Sequence, residues 1–347
     1  MMAERRILIV GAAWVGDMVM SQPLFSYLHQ VYGAATSIDV LAPAWSRPVL
    51  SRMAEVRHVL DLPLGHGRLG LGQRWRLGRS LRSAAYDQAI VLPNSWKSAW
   101  IPWAAAIAQR TGWRGEWRYG LLNDLRILDA QALPRMVDRF MALAVPEGAD
   151  LPVAQPPRLQ TDVASLQQAL VELNLDVQSP LVALCPGAEF GPSKQWSARH
   201  FAYLAQQFLR RGYQVWIMGS SADADIAQQI MAMIPEALRS GCQSLAGKTR
   251  LDQAIDLLSC PDLVVSNDSG LMHIAAAIRP DRPLWALYGS TSPVFTPPLA
   301  PAAHILRREL PCSPCFKRVC PLGHHACMEE LTPDTVLSQA LLPRQGL

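Results

Sequence analysis

Short apolar runs alternate with longer segments of helical periodicity along nearly the whole chain. The first half contains predicted strands at Ile7–Val10, Ser37–Leu41 and Gln88–Leu92, and a predicted helix at Met18–Tyr32. The second half contains predicted strands at Leu181–Cys185, Gln214–Met218, Leu263–Ser266 and Leu284–Tyr288, and predicted helices at Arg199–Arg211, Asp223–Ile234, Leu251–Ser259 and Leu271–Ile278. Such alternation is typical of parallel sheets covered on both faces by helices. The pattern therefore predicts an α/β fold.

A proline-rich stretch between Pro146 and Pro157 separates the two series of strands and helices. Because a chain of 347 residues can bury two cores, we expect a first domain over residues 1–155 and a second over residues 156–330. We expect residues 331–347 to form a helix that packs back on the first domain. Ligands of open α/β sheets bind beyond the carboxyl ends of the strands. The loops after the strands, and a cleft between the domains, are therefore the predicted binding regions.

Positive charge is concentrated in the first half, although the net charge is only +4. Residues 1–155 contain 17 Lys and Arg against 12 Asp and Glu, while the remainder contains 15 against 16. The five arginines from Arg68 to Arg82 follow one another without an intervening acid. Such a run is commonly a solvated helix face. The alternative is a surface for an anionic partner, either a phosphorylated substrate or acidic lipid; a nucleic acid is disfavoured because no binding motif accompanies the charge.

The hydropathy of the chain indicates a cytoplasmic protein. No apolar run reaches the roughly 18 to 20 residues needed to span a bilayer. The first ten residues lack the apolar stretch and the small-residue cleavage site of a signal peptide.

The segment Asn267-Asp268-Ser269-Gly270 connects an apolar strand to a predicted helix. Backbone N–H groups at a helix N-terminus lack intrahelical partners and attract anions, such as the diphosphate of a nucleotide. His273 lies about one helical turn after Ser269 and adds a titratable group. The segment therefore predicts a phosphate site; alternatively, Asp268 and Ser269 only cap the helix.

The loop after the first strand has the glycine spacing of a phosphate-binding P-loop without its chemistry. Asp17 occupies the position of the P-loop lysine, and Met18 occupies that of the Ser or Thr that would hold magnesium. The loop also lacks G-x-G-x-x-G, which weakens a dinucleotide-binding interpretation. A carboxylate at a helix N-terminus is kept ionised by the helix dipole and could deprotonate an acceptor hydroxyl. Alternatively, Asp17 is a helix-capping residue.

Two loops of the second half carry further candidate charges. Lys194 lies in a Pro- and Gly-rich loop after a strand and could stabilise negative charge on a departing diphosphate; alternatively, it is an exposed lysine without a role. Asp223-Ala224-Asp225 matches the D-x-D pattern with which many metal-dependent glycosyltransferases hold a divalent ion. Acids are common in the first turn of a helix, which makes metal use the weaker interpretation.

Four of the seven cysteines lie close together near the C-terminus, at Cys312, Cys315, Cys320 and Cys327. In a cytoplasmic protein such a cluster favours a structural zinc or iron–sulfur site over disulfides. The spacing departs from the paired C-x-x-C pattern of a zinc ribbon. The alternative of reduced thiols without a ligand therefore stays open.

Taken together, these loops resemble the ADP-heptose:lipopolysaccharide heptosyltransferases, glycosyltransferase family 9. The resemblance extends through nearly the whole chain. It is carried by the segments Trp14-Val15-Gly16-Asp17-Met18, Ala42-Pro43-Ala44-Trp45, Pro63-Leu64-Gly65-His66-Gly67, Leu92-Pro93-Asn94-Ser95, Arg110-Thr111-Gly112-Trp113-Arg114-Gly115, Tyr119-Gly120-Leu121-Leu122-Asn123-Asp124, Cys185-Pro186-Gly187-Ala188-Glu189-Phe190-Gly191-Pro192 and Asn267-Asp268-Ser269-Gly270-Leu271-Met272-His273.

The resemblance implies a GT-B glycosyltransferase architecture, in which two facing Rossmann-like domains hold the acceptor and the nucleotide sugar respectively. It implies an inverting transfer, without metal or cofactor, of heptose from ADP-L-glycero-D-manno-heptose to the first heptose of the lipopolysaccharide inner core. Asp17 matches the general base of the family, and Lys194 matches the lysine that contacts the donor phosphates. The other implied donor-binding residues are Glu189, Asp223, Thr249, Asp268, Ser269, Gly270 and His273.

The implied acceptor is anionic, which would explain the basic first half. Lys97, Arg114 and Arg118 are the candidate acceptor contacts. We expect a monomer that binds no nucleic acid and works at the cytoplasmic face of the inner membrane. The tryptophans at positions 96, 100 and 103 would assist membrane contact.

Three alternative functions stay open at the level of the sequence. A paralogous heptosyltransferase that acts on another inner-core acceptor would carry the same loops. A nicotinamide-dependent oxidoreductase can also be built from two Rossmann-like domains, but it would need the glycine fingerprint that the first loop lacks. The third alternative is a non-catalytic module that binds lipopolysaccharide or a nucleotide and carries a metal site.

Overall fold

The computed structural model describes residues 5–33, 35–64 and 68–340, with no side-chain description at positions 339 and 340. The chain forms two compact units, Met1–Gln160 and Thr161–Leu347, so the division lies five residues beyond the predicted boundary. The segment Gly65-His66-Gly67, which contributed to the family resemblance, lies outside the described residues, as do residues 341–347.

The first unit contains a six-stranded parallel sheet in the order β3-β2-β1-β4-β5-β6. Its strands are β1 (Arg6–Val10), β2 (Ser37–Ala42), β3 (Val56–Asp61), β4 (Gln88–Val91), β5 (Gln109–Trp113) and β6 (Asp124–Arg126). Its helices are α1 (Val15–Tyr32), α2 (Arg47–Leu50), α3 (Leu71–Ser80), α4 (Trp100–Ala104) and α5 (Met136–Met141). β1 lies between β2 and β4, with Ile7 opposite Ile38 and Gln88. Its apolar run is buried because helices cover both faces of the sheet.

The second unit repeats this arrangement, with a parallel sheet in the order β12-β11-β10-β7-β8-β9. Its strands are β7 (Leu181–Cys185), β8 (Gln214–Ile217), β9 (Cys242–Ser244), β10 (Leu263–Asn267), β11 (Leu284–Tyr288) and β12 (Ala303–Arg307). Its helices are α6 (Val163–Glu172), α7 (Ala198–Leu209), α8 (Ala224–Met233), α9 (Glu236–Arg239), α10 (Leu251–Leu257), α11 (Gly270–Ile278), α12 (Ala326–Glu329) and α13 (Pro333–Ala340). The prediction of two Rossmann-like α/β units is confirmed.

The strand order reverses between β1 and β4 in the first unit and between β7 and β10 in the second. At such a switch point the loops after the two strands diverge and leave a crevice at the carboxyl edge of the sheet, which is where open α/β sheets bind ligands. The loop after β1 leads to Asp17, and the loops after β7 and β10 carry Lys194 and Asp268. The fold therefore positions the main candidate residues at its two switch points.

The C-terminal helix packs within the second unit over its described part, and the expected contact of residues 331–347 with the first domain stays a prediction. α13 packs on α7, and its Val336 and Leu337 side chains join the core of the second unit. The Tyr203 hydroxyl of α7 donates a hydrogen bond to Asp334 Oδ1 at 3.2 Å. The helix is held there because its apolar side chains complete a core within its own unit.

No helix among the described residues is long and apolar enough to cross a membrane.

Candidate active site

The N-terminus of α11 is the centre of the candidate site in the second unit. β10 ends at Asn267, Ser269 takes the N-cap position in extended backbone, and α11 begins at Gly270. The Ser269 side chain makes no capping hydrogen bond to the helix backbone; its hydroxyl lies 3.3 Å from that of Ser266. Ser269 therefore does not act as a side-chain cap. The N–H groups of the first turn of α11 lie at the carboxyl edge of the sheet.

Asp268 does not cap the helix either, because its carboxylate forms a buried ion pair. Lys194 Nζ donates to Asp268 Oδ2 at 2.6 Å, with the two side chains only 13% and 4% exposed. The Thr291 hydroxyl donates to the same oxygen at 2.5 Å. The Lys194 ammonium also lies 5.0 Å from the centre of the Phe190 ring, a cation–π distance. These contacts fix the ammonium beside the α11 N-terminus.

His273 lies inside this cluster, on the first turns of α11. Its side chain is buried, and burial lowers the pKa of the imidazole to about 4. The negative charge of Asp268 opposes this shift, and the positive charge of Lys194 adds to it. At neutral pH the imidazole is uncharged, so His273 offers a hydrogen-bonding group rather than a cation.

Asn267 fixes the loop that carries Lys194. Its Nδ2 donates to the Pro186 carbonyl at 2.7 Å, and its Oδ1 accepts from the Trp196 N–H at 3.2 Å. The fully buried amide thus links the end of β10 to both ends of the loop. The Ser193 hydroxyl anchors the middle of the same loop, since it donates to the Lys317 carbonyl at 2.5 Å and lies 2.9 Å from the Ser290 hydroxyl.

Asp223 packs against the loops after β7 and β8. Its Oδ2 accepts hydrogen bonds from the Ser220 N–H and hydroxyl, both at 2.8 Å, and so forms a helix-capping box. The carboxylate lies against the backbone of Gly187, where an added Cβ would be 2.5 Å from it. Only glycine permits this approach. Asp223 therefore has a structural contact at the place where a donor role was predicted.

The other predicted donor residues lie on loops of the second unit. Thr249 is half-buried in the turn between β9 and α10, and Glu189 is exposed in the loop after β7. Within the part of the chain that the structure describes, neither side chain hydrogen-bonds to the Lys194–Asp268 pair. The structure thus brings together Lys194, Asp268, Ser269, Gly270 and His273. Glu189 lies earlier in the loop that carries Lys194, and Thr249 lies on another loop.

Asp17 lies in the first turn of α1, in the first unit. Its side chain is half-buried. The loop before it needs glycine at position 11, where a Cβ would lie 2.9 Å from Met18 Cε and 3.2 Å from Ala42 Cβ. β1, β2 and α1 can therefore meet closely, and the first turn of α1 begins directly at the switch point.

Arg118, predicted as an acceptor contact, is a structural residue. Its side chain is 1% exposed, and the guanidinium donates to the carbonyls of Pro93, at 2.6 Å, and Trp113. Burial lowers its pKa to about 10. Because the group is used to join the loops after β4 and β5, the prediction of an acceptor contact at Arg118 is wrong. Lys97 is half-buried after β4, and Arg114 is exposed after β5.

Four large aromatic side chains are exposed in loops that follow strands of the first sheet. Trp14 follows β1, Trp45 follows β2, and Trp117 and Tyr119 follow β5. Trp117 is 84% exposed, and its ring centre lies 6.3 Å from that of Tyr119. The neighbouring rings of Trp117 and Tyr119 form an exposed aromatic surface, a feature typical of binding sites.

The comparison with known sequences identifies the family. The sequence model of glycosyltransferase family 9 (heptosyltransferase) matches residues 74–326. The chain belongs to glycosyltransferase family 9. It is 47% identical to lipopolysaccharide heptosyltransferase 2 of Salmonella typhimurium, over 99% of this chain and 100% of that protein. It is also 47% identical to lipopolysaccharide heptosyltransferase 2 of Escherichia coli, over 96% of this chain and 97% of that protein.

A solved structure gives the same result. The E. coli ADP-heptose lps heptosyltransferase II superposes with a TM-score of 0.86 at 44% identity, covering 96% of this chain and 97% of that one. The resemblance deduced from the loops is therefore confirmed, as is the two-domain GT-B fold. The protein is a glycosyltransferase.

The cysteines of this glycosyltransferase are all free thiols. Backbone N–H groups of His325 and Leu322 favour the thiolate of Cys320 and lower its pKa. Burial raises the pKa of Cys327 to about 11, with smaller contributions from the three other cysteines of the cluster. Within the described ranges, no set of three or more His, Cys, Asp and Glu side chains is arranged to hold a metal ion. The zinc or iron–sulfur site stays a prediction.

The sequence does not predict the roles of two residues of the candidate site. Asn267 is visible in it only as part of the helix-start motif, and no motif marks Thr291. Thr291 lies in the Gly289–Ser292 loop after β11, so the rule that the loops after strands bind ligands could have drawn attention to it. The sequence does not predict the contacts of these two residues, because their partners are distant along the chain. Asn267 bonds to Pro186, 81 residues away, and Thr291 bonds to Asp268, 23 residues away.

Proposed function

We propose that this glycosyltransferase moves a heptose from ADP-L-glycero-D-manno-heptose to the first heptose of the lipopolysaccharide inner core, with inversion at the anomeric carbon. The observation that carries the proposal is the buried Lys194–Asp268 pair at the N-terminus of α11. Near-full-length identity to lipopolysaccharide heptosyltransferase 2 of two bacteria supports the substrate class.

The donor diphosphate binds at the first turn of α11 in this proposal. Backbone N–H groups and the helix dipole attract its charge, and Lys194 supplies a fixed cation. As the bond from the sugar to ADP breaks, negative charge grows on the leaving phosphate. A preorganised ammonium and backbone N–H groups stabilise that charge more in the transition state than in the ground state.

Asp17 is the proposed general base. It would accept the proton of the acceptor hydroxyl as the oxygen attacks the anomeric carbon from the face opposite ADP. The proton ends on the carboxylate, and the electron pair of the broken bond leaves with ADP. Attack from the opposite face gives inversion. Glu189, Asp223 and Thr249 stay proposed contacts of the ADP and heptose portions of the donor.

The acceptor is proposed to lie against the carboxyl edge of the first sheet. Lys97 and Arg114 offer positive charge to an anionic saccharide, and the exposed rings of Trp117 and Tyr119 offer flat apolar faces. We infer that the enzyme works as a cytoplasmic monomer at the membrane in which such an acceptor is anchored. Gel filtration with light scattering tests the oligomeric state.

Transfer is tested with purified protein, ADP-heptose and a deacylated inner-core oligosaccharide ending in the first heptose, in the presence of EDTA. The expected product is heavier by one heptose and carries the inverted anomeric linkage, as read by mass spectrometry and NMR. Transfer only to an acceptor without that heptose, or to a later one, would assign the paralogous activity. Binding of ADP-heptose or acceptor without turnover would assign the non-catalytic module, and saturable NADH binding the oxidoreductase.

A further inference from the structure

A row of four tryptophan rings crosses the helices α3 and α4 of the first unit. The ring centres of Trp75 and Trp103 are 5.5 Å apart, those of Trp103 and Trp100 are 5.4 Å apart, and those of Trp100 and Trp96 are 5.1 Å apart. Trp96 and Trp100 pack partly on the core beneath the helices. Trp103 is 37% exposed and Trp75 half-buried, so the outer end of the row reaches the surface.

The surface around the outer end of this row is positively charged. Arg76 and Arg79 are exposed on α3, and Arg79 lies one turn after Trp75, on the same side of the helix. Exposed Arg68 and the exposed apolar side chain of Leu69 lie just before α3. No Asp or Glu occurs from residue 62 to residue 86.

Not every charged group of α3 belongs to this surface. Arg74 is buried, and its Nε donates to the Leu69 carbonyl at 2.8 Å. At the inner end of the row the carboxylate of Glu116 accepts the Trp96 N–H at 2.8 Å. Exposed arginines thus lie at the outer end of the row, where the indole of Trp103 is partly exposed, while Lys97 is half-buried at the inner end.

We propose that the exposed face of α3 and α4, with Trp103, Arg76 and Arg79 at its centre, docks the protein on a bilayer of anionic phospholipid. Indole rings favour the region of the lipid headgroups, and arginines there are attracted to the phosphates. The inner part of the row packs on the core. At the outer end Arg76 and Arg79 are exposed, and Arg76 Nε donates to the Gly72 carbonyl of its own helix at 3.3 Å. α4, which carries Trp103, follows β4 and Lys97 along the chain, so this helix begins close to the proposed acceptor edge.

The docking surface rests on the proposed location at a membrane and not on the proposed reaction. It is tested by co-sedimentation of the full chain with vesicles of phosphatidylethanolamine, with and without phosphatidylglycerol. The test variant is Arg76→Gln/Arg79→Gln, which removes two exposed charges. The matched control is Arg210→Gln/Arg211→Gln, which removes two exposed arginines at the end of α7 in the second unit. Bromine-labelled lipid reports insertion of the indole by quenching tryptophan fluorescence.

We expect binding to the vesicles that contain phosphatidylglycerol, and weakening by salt. At the usual contribution of an arginine near an anionic surface, the test variant should bind roughly 30-fold more weakly, while the control binds like the unaltered protein. Equal binding by the two variants, equal binding to uncharged vesicles or no quenching by bromolipid would overturn the proposal.

Transfer to the deacylated soluble acceptor separates this proposal from the proposed function. All three proteins should transfer heptose to it equally, because no membrane is present. Loss of transfer in Arg76→Gln/Arg79→Gln alone would assign these arginines to the saccharide and would also overturn the docking surface. Absence of transfer in all three proteins would count against the proposed reaction, while the vesicle result would still decide the docking surface.

Discussion

Removing one partner of the buried Lys194–Asp268 pair should strongly lower the free energy of unfolding of the second unit, because the other charge is then left buried without its partner. The two charged atoms are 2.6 Å apart in side chains 13% and 4% exposed. Lys194→Met leaves a buried carboxylate with only the Thr291 hydroxyl as partner. Removing one partner of a buried pair costs about 3–5 kcal/mol. We expect about 3 kcal/mol here, because the Thr291 hydrogen bond remains.

Asp268→Asn leaves the ammonium facing a neutral amide, and the expected cost is also about 3 kcal/mol. The double variant Lys194→Met/Asp268→Asn buries no unpaired charge. Its cost should therefore stay close to that of either single variant, which gives a coupling free energy of about 3 kcal/mol. In calorimetry, each single variant should lower the Tm of the second unit by roughly 6–12 °C, because 1 kcal/mol shifts Tm by about 2–4 °C in domains of this size.

The pair Arg199–Glu329 is the control for this cycle. Its atoms are also close, at 2.5 Å, but its side chains are 66% and 31% exposed. Exposed pairs contribute about 0.2–1 kcal/mol, so Arg199→Met and Glu329→Gln should have small and nearly additive effects. Single-variant costs at Lys194 and Asp268 that add in the double variant to within about 0.5 kcal/mol would refute the buried pair as an energetic unit.

Three further predictions concern other residues. Asp17→Asn should lower kcat by about 10²- to 10⁴-fold without changing the calorimetric Kd for ADP-heptose. The control Asp150→Asn, at an exposed carboxylate, should change neither quantity. Normal turnover in Asp17→Asn would show that Asp17 is not the general base. Burial lowers the pKa of His273 to about 4 in the folded state. As the pH falls, the imidazole is therefore protonated in the unfolded chain before it is protonated in the folded one. The free energy of unfolding should therefore fall by about 3 kcal/mol as the pH falls from about 6.5 to 4. His273→Gln should reduce this pH dependence, as measured by urea unfolding. An unchanged pH dependence in the variant would contradict the burial of a neutral imidazole. Arg118→Met should lower Tm, and Arg114→Gln should raise the acceptor KM without changing Tm; the reverse pattern would restore Arg118 as the acceptor contact.

The central strands could be predicted from the sequence because their burial on both faces requires continuous apolar runs. β1, β7, β10 and β11 all have this character, and each was predicted to within one or two residues. β3 was not predicted, since as an edge strand it has exposed polar positions at Arg57 and His58. β6 and β9 are only three residues long, too short for a periodic pattern.

The candidate site was predictable where chemistry follows from position along the chain. Residues in the loop or first helical turn after a central strand lie near the carboxyl edge of the sheet, and this rule drew attention to Asp17, Lys194 and Asp268. Arg118 was misassigned because its guanidinium is buried against backbone carbonyls that are distant in sequence, such as that of Pro93. No local pattern distinguishes an arginine that binds a ligand from one that binds backbone.

The pairing of Lys194 with Asp268 changes how the proposed donor site would work. The sequence suggested a cationic cradle, but the ammonium is already matched by a buried carboxylate, and His273 is neutral at pH 7. The site therefore has little net side-chain charge before the donor arrives. Burying an unpaired ammonium would cost several kcal/mol. The carboxylate of Asp268 offsets this cost and holds the Lys194 ammonium in a fixed position. In the proposed reaction, the donor phosphate would meet an ammonium that need not be reoriented. The attraction between them would grow as charge develops on the leaving group, which is the condition for electrostatic catalysis.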